Sequence, residues 1–241
     1  MIVLFTDFGL SGPYLGQVRS VLHQHAPQTT VIDLFADAPT YNPLASAHLL
    51  SAYSEGFPAG TVFLAVVDPG VGSSQRETAI VKADGRWYVG PDNGLFNVIA
   101  SRAAKLEAWH VSWQPEQLSA SFHGRDLFAP LAAALANGTL PAEELLHPVT
   151  LPRVQAPLQE IVYVDHFGNL ISGIRASDVS AGATLAIGGQ KLPRERTFAD
   201  VPLGTPLCYE NANGLLEIAI NQGRADTYFG AAVGTAVQIL F

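Results

Sequence analysis

Three aspartates in this chain close apolar runs, and each is followed within three residues by glycine: Asp7 in "MIVLFTDFG", Asp68 in "TVFLAVVDPGVG" and Asp165 in "IVYVDHFGN". A buried strand that ends in an acid presents a carboxylate at the edge of a sheet, where ligands bind, and glycine lets a ligand approach the backbone. Turn capping explains any one of these acids; Asp7 and Asp68, just past the first and third strands of one expected parallel sheet, would face one crevice, and two acids in equivalent places favour a site. Arg76, eight residues after Asp68, stands where a hairpin-like return would bring its guanidinium back to that acid. Such a partner keeps a buried carboxylate ionised, the state that holds a water or a cation; a structural ion pair is the alternative reading. In "SFHGRDLFAP", His123 stands at a helix start with glycine after it, and imidazole is the side chain best suited to proton transfer near neutrality. Arg125 and Asp126 read as structural, and Asp92 and Asn93 of "GPDNGLF" as capping residues. Towards the C-terminus, Asn169 has the donor and acceptors that read a purine edge, and Phe167 has a face for a flat ring. Asn213, beside Glu210 and Asn211 in "YENANGLLEIAI", is a further binding candidate, although turn chemistry explains these asparagines equally well.

The elements that carry these residues follow from periodicity. "MIVLF", "TTVIDLF" and "GTVFLAVVD" read as strands, the last an unbroken apolar run of the kind buried on both faces of a parallel sheet. Between them, Leu15, Val18, Val21 and Leu22 recur at helical spacing, and "NPLASAHLLSAYSEG" opens with proline and closes with glycine as helices do. Alternating strands and helices predict an open α/β sheet with mainly parallel strands. "ETAIVKADGRWYVGPDNG" predicts a hairpin turning at Asp84-Gly85, followed by the helix "LFNVIASRAA", the strand "LEAWHVS" and a helix begun at "FHGRDLFAP". Near residue 150 the texture changes: proline-rich chain gives way to short apolar runs punctuated by glycine. The expected division is an α/β domain over 1–150, a linker over 151–157, and a smaller all-β, barrel-like domain over 158–241.

Composition narrows the function. Hydrophobic residues are 48% and charged residues 14% of 241, enough for a sizeable core. A net charge of −8 without a basic cluster argues against nucleic acid as a partner. No apolar stretch is long enough for a membrane span, the N-terminus lacks signal-peptide features, and the single cysteine, Cys208, rules out a disulfide framework; a cytoplasmic protein is expected. Walker A, G-x-G-x-x-G, H-E-x-x-H and G-x-S-x-G patterns are all absent, and the seven histidines show no metal-ligand spacing. No metal is expected.

Six motifs, "TDFG", "VDPGVG" with its following arginine, "PDNG", "FHGRDLFAP", "DHFGN" and "NGLLEIA", occur in this order between Thr6 and about Gly223. In this the chain resembles the S-adenosylmethionine (SAM) hydroxide adenosyltransferases, the adenosine-forming SAM hydrolases related to the fluorinase and chlorinase enzymes. The resemblance implies a two-domain fold and a homotrimer, with substrate held between the N-terminal domain of one subunit and the C-terminal domain of its neighbour. It assigns Asp68, Arg76 and His123 to catalysis, Asp7 to the ribose, Asp165 to the methionine amine, and Asn169 with Phe167 to adenine. Two departures stand out: Ser11-Gly12 replaces an acid often found there, and residues 33–46 match loosely, so no ligand contact is assigned to them. The halogenases carry tyrosine at the place of Asp68, which favours water over halide as the nucleophile here.

The implied reaction is in-line attack of water on ribose C5′, with neutral methionine leaving from the sulfonium and no cofactor taking part. Asp68, Arg76 and His123 would hold and polarise the water, either Asp68 or His123 taking its proton. A sensor that binds SAM or adenosine without turnover, and adenosyl transfer to halide, are the alternative readings.

Overall fold

The computed structural model describes residues 1–73, 77–154 and 157–241. From the N-terminus, β1 (Ile2–Thr6), α1 (Tyr14–His25), β2 (Val31–Phe35), α2 (Pro43–Ser54) and β3 (Val62–Val66) alternate as the hydrophobic pattern predicts. The hairpin β4 (Thr78–Ala83) and β5 (Arg86–Pro91) turns at Asp84-Gly85, and α3 (Asn97–Arg102), β6 (Leu106–Val111), α4 (Ala129–Ala136) and β7 (Leu146–Pro148) follow.

These seven strands form one sheet in the order β2-β1-β3-β5-β4-β6-β7. The first four are parallel, and β4, β6 and β7 extend the sheet by antiparallel pairing. Every residue of β1 and β3 is buried, hence their unbroken apolar sequence. On one face Ile2, Leu4 and Leu64 pack with Val18 and Leu22 of α1 and with Leu131 of α4. Each such side chain, fully buried, contributes about 1.5–3 kcal/mol. The chain leaves β1 towards β2 on one side and comes back to β3 on the other. That reversal is a topological switch point, where loops diverge and open a crevice at the carboxyl ends of the strands.

The segment expected as a regular helix start instead forms a π-helical turn, Gly124–Phe128, with the Ala129 N–H donating to the Gly124 carbonyl. The wider turn buries Leu127 and Phe128 together before α4 begins.

Met1–Leu50 and Phe57–Val154 make up one compact unit; Ser51–Gly56 and Gln155–Phe241 make up the other. The second unit holds β8 (Leu158–Val164), β9 (Leu170–Arg175), β10 (Thr184–Ile187), β11 (Gln190–Lys191), β12 (Pro206–Glu210), β13 (Leu215–Ile220), α5 (Ala225–Phe229) and β14 (Gln238–Leu240). Its strands form two sheets, β12-β13-β9-β8 and β11-β10-β14, antiparallel throughout. Isolated pairings of Glu160 with Ala236 and of Arg194 with Cys208 stitch the outer edges of the two sheets together on both sides. Ile161, Leu170, Leu185, Leu216 and Ile218 fill the space between them. The all-β expectation omitted α5, whose five residues are too few to show helical periodicity. Among the described residues, no helix is long and apolar enough to cross a membrane.

Candidate active site

At the β1/β3 switch point lies a cavity of about 350 Å³, lined by Asp7, Phe8, Tyr41, Asp68 and His123 among others. Three segments far apart in sequence thus bring two carboxylates and an imidazole to one space. Asp7 is the first residue beyond β1, and its Oδ2 accepts the Tyr41 N–H at 3.1 Å. Burial raises the Asp7 pKa above the ordinary aspartate value; the Tyr41 amide opposes that rise, and the negative charge of Asp68 adds to it.

Asp68 begins the turn after β3 and accepts the Gly70 N–H on Oδ1 at 3.1 Å. Four residues on, Gly72 has φ +82°, and a Cβ placed there would lie 2.4 Å from the carbonyl oxygen of Ala120. Glycine at this position therefore lets the Asp68 turn close directly onto the segment that leads to His123. That segment is anchored from its other side. Asp126 accepts the Ser119 N–H at 2.9 Å and is gripped by Arg125, which holds its carboxyl below the usual aspartate range. Arg125 and Asp126, read from the sequence as structural, bond each other and brace the Ser119 backbone. Arg76, the remaining catalytic candidate, lies outside the described residues.

The cavity also has an aromatic wall that sequence reasoning did not single out. Phe122 meets Phe8 and Tyr14 edge-on at centroid distances of 5.6 and 5.4 Å. Its signal was available: Phe8 directly follows Asp7, and Phe122 directly precedes His123. The turn at Asp92 and Asn93 departs from simple capping. Asp92 meets the His110 imidazole at 2.6 Å, and the Asn93 amide donates to the Val67 carbonyl at 2.8 Å while accepting the Leu95 N–H.

The remaining candidates sit in the second unit. Asp165 ends β8 and organises a five-residue loop: Oδ1 accepts the N–H groups of Phe167 and Asn169 at 2.9 and 2.8 Å, and Oδ2 accepts the Asn169 side-chain amide at 2.9 Å. Gly168 is required within it, with φ +83° and only 2.7 Å between a would-be Cβ and Asp226 Oδ1. The loop buries Asn169 and leaves Phe167 71% exposed. Both residues line a second cavity of about 470 Å³, together with Phe198, Ile220 and Arg224. Arg224 is fixed by two hydrogen bonds to Asp226 and one to the His166 carbonyl.

Asn213 belongs to a polar cluster around Glu217, a buried acid in the middle of β13. Glu217 accepts the Tyr209 hydroxyl and, at 3.0 Å, the Asn211 amide, while Asn213 bonds the hydroxyl of Tyr53. Burial raises the pKa of Glu217, and the charge on Asp165 raises it further. Burial likewise pushes Tyr53 up to about 12, with the charges of Glu217 and Asp165 contributing. A carboxylate inside "GLLEIAI" is the sequence signal for this cluster, because an acid in a buried strand requires partners.

The geometry agrees with what the chain is similar to. The description "SAM hydroxide adenosyltransferase N-terminal domain" matches residues 2–145, and its C-terminal counterpart matches residues 159–238. A Thermus thermophilus protein named (R)-S-adenosyl-L-methionine hydrolase is 39% identical, over 99% of each chain. A protein of the same name from Salinispora tropica is 35% identical, over 97% of this chain and 95% of that one. Among solved structures, an uncharacterized conserved protein from Thermotoga maritima superposes with a TM-score of 0.87 at 30% identity, covering all of both chains. With both family domains matched in order across nearly its whole length, the chain belongs to the SAM hydroxide adenosyltransferase family.

Proposed function

We propose that this chain hydrolyses S-adenosyl-L-methionine to adenosine and L-methionine, by in-line attack of water on ribose C5′. The observation that carries the reading is the convergence of Asp7, Asp68 and His123 on one cavity at the β1/β3 switch point. Family membership supports it, and the names of the relatives extend it to a preference for the (R) sulfonium.

The chemistry asks little of the protein beyond placement. Methionine departs as a neutral thioether, so the leaving group needs no acid. The attacking water must be aligned with C5′ and must lose one proton. Alignment of reactants supplies about 7–11 kcal/mol in favourable systems. Asp7 takes the ribose hydroxyls and fixes C5′. Asp68 and His123, with Arg76, hold and polarise the water, and one of the first two accepts its proton. Burial, with the charge of Asp68 adding to it, raises the Asp7 pKa, and a cationic substrate relieves that setting.

Asp165 anchors the methionine ammonium, and Asn213 is a further substrate-binding residue. Phe167 stacks on adenine, and Asn169 reads the purine edge with the amide hydrogen and the oxygen that remain after its bond to Asp165. No cofactor is called for. The same proposal includes a homotrimer whose substrate lies between domains of neighbouring subunits, and a place in the cytoplasm.

The test is incubation with SAM at neutral pH, followed by chromatography for adenosine and methionine. Equimolar products from the native chain, and their loss in Asp68→Ala, are expected. Tight binding without product would make the chain a sensor, and chloride-dependent formation of a chlorinated nucleoside would make it a halogenase.

A further inference from the structure

The three central parallel strands β1, β3 and β5 each lead into an acid at the same edge of the sheet: Asp7, Asp68 and Asp92. The first two line the cavity, and the third opens the "PDNG" turn. The backbone register between β3 and β5 ends at Leu64 opposite Val89. Beyond it, the carbonyl of buried Val67 is bonded by a side chain, the Asn93 amide at 2.8 Å. Asn93 is itself held by the Leu95 N–H donating to its Oδ1 at 3.3 Å and by its own N–H donating to the Pro91 carbonyl. Its neighbour Asp92 is tied to β6 through His110 and to Glu77 through the backbone.

The Val67 carbonyl belongs to the peptide plane that ends at the Cα of Asp68. Because that plane is rigid, the direction of the carbonyl sets the direction in which Asp68 leaves β3. We propose that Asn93 is a positioning residue for Asp68: its amide locks the Val67–Asp68 peptide and so aims the Asp68 carboxylate into the cavity. The proposal rests on the reading of Asp68 as the acid that holds the attacking water. Turn capping alone uses the Oδ1 of Asn93 and has no need of the amide hydrogens, which separates the two roles.

Asn93→Asp keeps the acceptor for Leu95 and removes the donor to Val67, whereas Asn93→Ala removes both without adding charge. Turnover of SAM and the affinity for adenosine, by calorimetry, are measured for both variants beside Asp68→Ala. Both Asn93 variants are expected to turn over about 10²-fold more slowly, the scale of an ångström-level misplacement, with adenosine affinity unchanged. Native turnover in Asn93→Asp with loss in Asn93→Ala would reduce Asn93 to a turn cap and overturn the proposal. Loss in Asn93→Asp alone would mark a charge effect and overturn it too, as would a fall in turnover matched by an equal loss of adenosine affinity. Native turnover in Asp68→Ala would instead sink the reading of Asp68, whatever the Asn93 variants do.

Discussion

The carboxylates of the two units are held in different ways. In the α/β unit, Asp7 and Asp68 stand at the ends of separate strands and share one cavity with a histidine from a third segment. In the β unit, Asp165 is wrapped by its own loop and accepts three hydrogen bonds from residues within four positions of it. Those donors fix the orientation of the Asp165 carboxylate within its own loop. In the α/β unit the acids are held by separate elements, and burial, with the charge of Asp68 adding to it, leaves Asp7 less willing to ionise. A carboxylate locked by its own loop suits anchoring a cation, and two acids brought together with a histidine in one cavity suit chemistry.

If that contrast is right, substitutions in the two units should separate catalysis from binding. The largest effect is expected from Asp68→Ala, with turnover down about 10²–10⁴-fold, the range for loss of general-base help, and little change in adenosine affinity. Asp165→Asn should act in the opposite sense. It removes the charge and keeps one acceptor oxygen for the backbone N–H groups of Phe167 and Asn169 while losing the bond from the Asn169 side-chain amide, so KM for SAM should rise about 10–150-fold while kcat largely holds, the scale of a hydrogen bond to a charged group. Equal falls in kcat for both variants, in steady-state assays, would erase the distinction.

Gly72→Ala tests how the first site is assembled. A side chain at φ +82° and 2.4 Å from the Ala120 carbonyl should cost about 1–3 kcal/mol in urea unfolding and lower turnover as the Asp68 turn moves off the His123 segment. The smallest effect concerns Asp7. Its folded-state pKa is raised, so the stability it contributes is present below the ordinary aspartate range and is lost as pH rises through the raised value. Asp7→Asn removes that dependence. Its thermal midpoint should therefore overtake that of the native chain between about pH 3 and pH 7, even as turnover falls. A gap that closes with rising pH would contradict a raised Asp7 pKa.

How much of this was legible in the sequence follows from the same contrast. The Asp165 loop could be read locally, since acid, glycine and amide fall within five residues and the hydrogen bonds join those same residues. Asp7, Asp68 and His123 were individually visible as acids at strand tips and a histidine before glycine. That Asp7 and Asp68 face one crevice follows from parallel strands ending at one edge of a sheet; that His123 joins them depends on where the segment before α4 meets that edge, and periodicity carries no information about that. The π-helical turn after His123 and the short α5 escaped because neither alters a 3.6-residue pattern for long enough to register. Glu217 was passed over inside an apolar run, although its type was the anomaly. Asp92 was assigned to capping because its partner, His110, lies eighteen residues away on another strand.

The tail of α2 has a consequence for how the chain comes to be folded. Arg175, nearly buried on β9, bonds Ser51 and forms an ion pair with Glu55, more than a hundred residues earlier. A ribosome releases Ser51–Gly56 long before it makes the strands that this segment completes, so that part of α2 must wait, and contacts of such long range slow folding. The same feature decides how the gene can be cut. A fragment beginning at residue 155 would leave the Arg175 guanidinium without Ser51 and Glu55. The C-terminal strands are thus a unit in space but not a piece of sequence, and a separable version would need those six residues grafted back.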